Sequence, residues 1–92
     1  MVFGHRREAW VFLRGHDATS AYGATVELIE RRERRVAGPR GVGGPYVWVT
    51  FPETPYGAYT VRVIYPSGQE QQGRLVVDGT AHAITLEQPA SR

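Results

Sequence analysis

The residue types that usually do chemistry are sparse and scattered in this chain. His5, His16 and His82 are its three histidines, and no two share a metal-ligand spacing such as H-x-x-x-H. A structural role is expected for His82, on the apolar face of a last strand or at its open end. Cysteine is absent, which removes thiol nucleophiles, disulfides and cysteine-ligated metals. Ser20, Ser67 and Ser91 sit in turn-like or terminal stretches, with no G-x-S-x-G elbow and no histidine beside them. Glu27, Glu53 and Glu70 could pair as carboxylates, but no spacing demands it. The pattern predicts no catalytic residue, no metal site and no cofactor.

Two local features suit binding instead. Arg31, Arg32, Arg34, Arg35 and Arg40 gather positive charge, offset in part by Glu30 and Glu33. Arginine stays charged and meets carboxylates and phosphates through a two-pronged fork of donors. The cluster reads as a solvated strand end and loop, as a dock for an acidic protein, or as a polyanion site. In the last case its Gly-rich continuation would mould to a phosphate backbone. The aromatics that interleave with charge in nucleic-acid sites are missing until Tyr46, so nucleic acid is the weaker expectation. Tyr46 and Trp48 are the second feature, sharing one strand face with Thr50. Facing solvent, they make a platform for sugar rings or a protein hot spot; covered, they are core.

The elements that must position these residues read as strands. With 92 residues the chain makes one small domain with a thin core. Hydrophobic residues are 41% and charged residues 22%, proportions that suit a folded domain rather than a disordered one. Gly 11 and Pro 6 make 17 of 92 residues, enough for many turns between short strands. The net charge is only +2, and all eleven basic residues are arginine. No apolar run approaches the ~20 residues that span a bilayer.

Residues 9–13 read as a first strand buried on both sides or nearly so, and residues 24–30 as a strand with Ala24, Val26 and Leu28 on one face. Residues 31–45 read as a basic, Gly/Pro-rich loop. Tyr46, Val47, Trp48, Val49, Thr50 and Phe51 form the strongest strand, followed by a proline-punctuated turn over 52–57. Tyr59, Val61, Val63 and Tyr65 then share a face, and Pro66-Ser67-Gly68 closes that strand tightly. A polar, edge-like stretch over 69–73, a strand over 74–78, an Asp78-Gly79 hairpin turn and a last strand over 80–87 complete the pattern. About seven strands with almost no helix predict an all-β sandwich.

The second half carries an ordered set of motifs: Trp48-x-Thr50-Phe51-Pro52, Gly57-x-Tyr59-x-Val61-x-Val63, Pro66-Ser67-Gly68, Leu75-x-Val77-x-Gly79 and Ile84-x-Leu86. With Val11-x-Leu13 and Gly23-Ala24-x-Val26-x-Leu28 before it, this resembles the transthyretin-like (prealbumin-like) sandwiches. Those include the carboxypeptidase regulatory-like domains, the collagen-adhesin B-type repeats and, more loosely, the PEGA-motif domains. The resemblance covers residues 9–87 and implies an immunoglobulin-like sandwich with a non-catalytic role as stalk, spacer or docking module. It also implies structural roles for Gly23, Gly57 and Tyr59. The hydroxyisourate hydrolases on this fold end in Tyr-Arg-Gly-Ser, whereas this chain ends Pro89-Ala90-Ser91-Arg92. Independent of family, Gly57 is expected to take a backbone conformation closed to other residues, and Tyr59 to bury its ring and give its hydroxyl a backbone partner.

The expected organisation is an N-terminal extension over 1–8, a sandwich over 9–87 and a tail over 88–92. The expected function is protein–protein attachment or self-association within an assembly or multidomain protein, through sticky edges at the first strand and at 69–73. Sugar binding by Tyr46 and Trp48, and polyanion binding by the arginines, are the alternatives. The opening residues lack an apolar signal-peptide core, which predicts a cytoplasmic or particle-associated protein unless the chain is a domain cut from a secreted one.

Overall fold

The computed structural model describes residues 5–16, 21–44 and 46–90. Among these, eight strands form two four-stranded sheets packed as an all-β sandwich. They are β1 (Arg6–Arg14), β2 (Thr25–Glu30), β3 (Glu33–Ala37), β4 (Gly41–Gly43), β5 (Tyr46–Pro55), β6 (Gly57–Ile64), β7 (Glu70–Val77) and β8 (Ala83–Glu87). Sheet 1 has the order β4-β5-β1-β8 and sheet 2 the order β3-β2-β6-β7. All pairings are antiparallel except β1 with β8.

The core follows from the period of two. Ala9, Val11 and Leu13 of β1 and Val47, Val49 and Phe51 of β5 line the inner face of sheet 1. Val26 and Leu28 of β2, Tyr59, Val61 and Val63 of β6, and Leu75 and Val77 of β7 face them from sheet 2. Valine dominates because its branched Cβ packs well on a pleated surface and loses little rotamer freedom there. Ile84 and Leu86 of β8 close one side against Gly73, whose missing side chain leaves room for their methyls.

Several expectations need correction. The 31–45 stretch is not a loop: Glu30 pairs with Glu33 across a two-residue turn, β3 follows, and β4 pairs with β5. Glycines hid β4, since they carry no side chain to alternate, and β3 was hidden by charged residues on both of its faces. The 52–57 segment is not a turn either. Strand β5 runs on to Pro55 with one extra residue against β1 between Arg7 and Ala9, a bulge that absorbs the proline-rich sequence. Glu53 takes φ 52° there, and buried Thr54 donates its hydroxyl to the Phe51 carbonyl at 2.7 Å. Asp78 and Gly79 do not form a hairpin turn, because β7 and β8 lie in different sheets. Instead the Asp78 carboxylate accepts bonds from the Thr80 and Ala81 amides, both at 2.7 Å, which holds its pKa below the usual value.

Strand β1 is an interior strand rather than a sticky edge, and it already begins at Arg6 inside the supposed N-terminal extension. Its outer face is half-buried, not covered. Residues 70–77 do form an edge of sheet 2. The described part of the expected tail, residues 88–90, is bonded to the sandwich: the Gln88 amide donates to the Arg14 carbonyl at 2.8 Å and Gln69 Nε2 to the Pro89 carbonyl at 3.2 Å. The Pro66-Ser67-Gly68 turn forms as expected, with Gly68 at φ 92° and its amide bonded to the Tyr65 carbonyl.

The Tyr59 corner is present, with its hydroxyl donating to the Pro55 carbonyl at 2.6 Å. Burial, reinforced by Glu30, raises its pKa. Gly57 differs from expectation: it is not among the residues with positive φ, and its role is spatial, since a Cβ there would lie 2.5 Å from the Glu30 carboxylate. Gly23 likewise leaves room for the Pro66 ring. Tyr59→Phe should therefore cost about 1 kcal/mol, the net worth of one hydrogen bond, and Tyr59→Ala about 3 kcal/mol. Gly57→Ala displaces only a flexible carboxylate and should cost less than either, an order that chemical denaturation measures directly.

Burial also pushes the Tyr65 hydroxyl from 10.0 up to about 12, and the hydroxyl donates to Gln71 Oε1 at 2.6 Å. A folded pKa above the unfolded one means stability fully present below pH 10 and lost as pH rises towards 12. Melting temperatures should fall over that window in the wild type and fall less steeply in Tyr65→Phe.

Candidate functional site

The outer face of sheet 1 is where the sandwich departs from ordinary polar alternation. Outward-pointing positions of β1 are Glu8, Trp10, Phe12 and Arg14; those of β5 are Tyr46, Trp48 and Thr50. The register sets Phe12 beside Trp48, Trp10 beside Thr50 and Arg14 beside Tyr46. Four aromatic rings thus share one face, each half-buried, and no described strand packs over them.

Each ring is seated by a neighbour. Trp10 and Phe12 stack on one another with centroids 5.8 Å apart and planes 8° apart. The Arg14 guanidinium lies 5.8 Å from the centre of the Tyr46 ring, a cation–π contact, and 3.9 Å from the Glu87 carboxylate. Trp48 lies across β4: a Cβ on Gly41 would overlap its indole, and one on Gly43 would come within 3.1 Å of Cζ3. The glycines that make β4 look like a loop are the seat of this indole. Beyond β1, Ala83, Thr85 and Glu87 of β8 finish the face with small or polar groups.

The arginines are not brought together. Arg31 and Arg32 form the β2–β3 turn, where with Glu30 and Glu33 they line an open depression. Arg31 holds φ 50°, a left-handed conformation that favours glycine or asparagine. Arg34 points from the outer face of sheet 2 to Glu27 at 3.7 Å. Glu27 also meets Arg62 at 3.4 Å, and Arg62 meets Glu70 at 2.6 Å, so this face is a balanced ionic network. Arg35 alternates to the opposite side, pairing in register with Leu28, and its Nε is buried without a hydrogen bond. Arg40 lies between β3 and β4 with its amide on the Trp48 carbonyl. Strand alternation therefore splits the cluster across two faces and a turn.

His82 precedes β8 and its Nδ1 is buried without a hydrogen bond, while its carbonyl accepts from the Trp10 amide. Ser67 bonds within its own turn to Gln69. Ser20 and Ser91 lie outside the described residues. Among the described residues no group of three or more His, Asp or Glu side chains could hold a metal ion, and no helix is long and apolar enough to cross a membrane.

Trp10 and Phe12 are the site residues that sequence reasoning missed. The signal was there: in Ala-Trp-Val-Phe-Leu the aromatic pair alternates with the aliphatic set, so one parity had to face away from the core. No known family, curated protein or solved structure matches this chain.

The seat of Trp48 is testable. In Gly41→Ala the new methyl must lift the indole off β4. Tryptophan emission should shift to the red and acrylamide quenching should increase, whereas Gly38→Ala, where a Cβ meets only the Ala24 carbonyl at an ordinary 3.9 Å, leaves both unchanged.

Proposed function

We propose that this chain is a non-catalytic, transthyretin-like binding module that attaches to a protein partner through the outer face of sheet 1. The observation that carries the reading is the aromatic band of Trp10, Phe12, Tyr46 and Trp48 on a sheet face that no described strand covers. Folded monomers rarely present contiguous apolar patches of more than a few hundred Å² without a use for them. Aromatic residues and arginine are also the types enriched at the centres of protein interfaces. The rings are held upright or flat by neighbours, so little side-chain entropy remains to be lost on docking. The order of motifs along the chain and the Tyr59 corner support the transthyretin-like part of the reading.

Sugar binding is a second reading with one observation in its favour, the flat seating of Trp48 over Gly41 and Gly43. The Trp10–Phe12 stack favours protein, because those two rings spend a face on each other that a sugar would need. The scattered arginines give a polyanion no continuous track.

Affinity capture from an extract, run with the wild type and variants side by side, separates these readings. Protein species retained by the wild type should be lost with Phe12→Asp and with Trp48→Ser, and kept with the paired Arg31→Ala, Arg32→Ala variant. A glycan array lit by the wild type and dark with Trp48→Ser would transfer the site to sugars.

A further inference from the structure

The outer row of β1 reads Glu8, Trp10, Phe12, Arg14: an acid, two aromatics and a base, all on one parity of one interior strand. This order is self-complementary when reversed. Turn a second copy over, with a two-fold axis lying in the plane between the outer faces of the two copies' sheet 1, perpendicular to β1 and level with Val11. Glu8 then faces the second copy's Arg14, and Trp10 faces the second copy's Phe12. The same axis acts on β5, where Val49 pairs with Val11. It sets bulky Trp48 over the second copy's small Thr50. On β8 it sets Thr85 over Ala83, because Val11 pairs there with Ile84.

We propose that the occupant of this face is a second copy of this chain, packed back to back as a two-fold dimer with Glu8 of each copy against Arg14 of the other. The proposal rests on the reading of the face as a protein-docking surface and specifies the partner. Two complementarities share one axis: charge on β1 and large against small on β5, while the small Ala83 and Thr85 of β8 leave the approach open. A two-fold contact of this kind uses one patch twice and closes at two subunits. Aligned sheet-on-sheet packing is the usual geometry for two such faces.

The size of the patch sets the expected strength. Seven residues each from β1 and β5, the five of β8 and the three of β4, at ~3.3 Å per residue and ~4.8 Å between strands, give roughly 350 Å² of flat area per copy before side-chain relief. That places the contact at the small end of specific interfaces, where association is weak. The dimer should form in the micromolar range and be populated at about 100 µM.

Sedimentation equilibrium tests this with the full chain. The wild type should be a dimer at about 100 µM. Glu8→Arg alone sets Arg against Arg, and Arg14→Glu alone sets Glu against Glu; each should weaken association about tenfold or more. Mixing the two variants in equal amounts should restore a dimer, and so should the double variant carrying both substitutions. Recovery on mixing also shows that both single variants are folded, and circular dichroism checks each alone. A wild type that stays monomeric to about 1 mM overturns the proposal, as does a dimer indifferent to both charge reversals. If the monomer still captures protein in a Phe12- and Trp48-dependent way, the face docks a foreign protein and only the second-copy assignment falls.

Discussion

The central constraint is the position of β1. It is hydrogen-bonded on both sides, antiparallel to β5 and parallel to β8, so its register cannot slip without breaking two ladders. With the register held, alternation sorts its residues from Glu8 to Arg14. Ala9, Val11 and Leu13 are fully buried between the sheets, while Glu8, Trp10, Phe12 and Arg14 face outward. A slip of one residue would put two aromatics and two charges into a core sized for valine and alanine. Core packing therefore specifies the surface: the same pairing that buries the aliphatic row presents the aromatic one.

Much of the architecture was legible in the sequence, because valine-rich alternation marks half-buried strands plainly. Strands β2, β5 and β6 follow the pattern of Val26 and Leu28, of Val47, Val49 and Phe51, and of Tyr59, Val61 and Val63. What stayed hidden was whatever does not alternate in side-chain type. Strand β4 is Gly-Val-Gly, and its pairing depends on an indole from the next strand. Strand β3 is Glu-Arg-Arg-Val-Ala at an edge, where charged residues occupy both faces. The extension of β5 through Pro52 and Pro55 depends on a bulge whose partners on β1, Arg7 and Ala9, lie more than forty positions earlier in the chain, rather than on a local rule. Sheet order is equally non-local, so β1 could be recognised as a strand but not as an interior one.

The arginine cluster shows why density along a sequence is a poor guide to density in space. Five arginines in one stretch look like a patch, yet a strand sends neighbours to opposite faces. Arg34 reaches Glu27, Arg35 turns to the interior side, and Arg31 and Arg32 occupy the turn. Glu27, nearly buried, sits between Arg34 and Arg62, and Arg62 is shared with Glu70. The more exposed pair, Arg62 with Glu70, adds little stability, about 0–1 kcal/mol, but the network as a whole neutralises the field that a polyanion would need. The modest net charge of +2 is thus spread as local pairs rather than held as one attractive face.

The aromatic face has a different relation to the fold. Trp10 and Phe12 lean on each other and could change with little consequence for the interior, since the buried row of β1 lies on the other side of the backbone. Trp48 is not independent in this way. Its indole takes the space that side chains at Gly41 and Gly43 would fill, and its carbonyl accepts the Arg40 amide that leads into β4. Strand β4 has three residues, two of them glycine, and so has little of its own to hold it in place. The edge of sheet 1 is therefore organised by a residue of the aromatic face. Whatever displaced Trp48 would displace β4 as well, so the shape of that edge and the packing of the aromatic face are two readings of one contact.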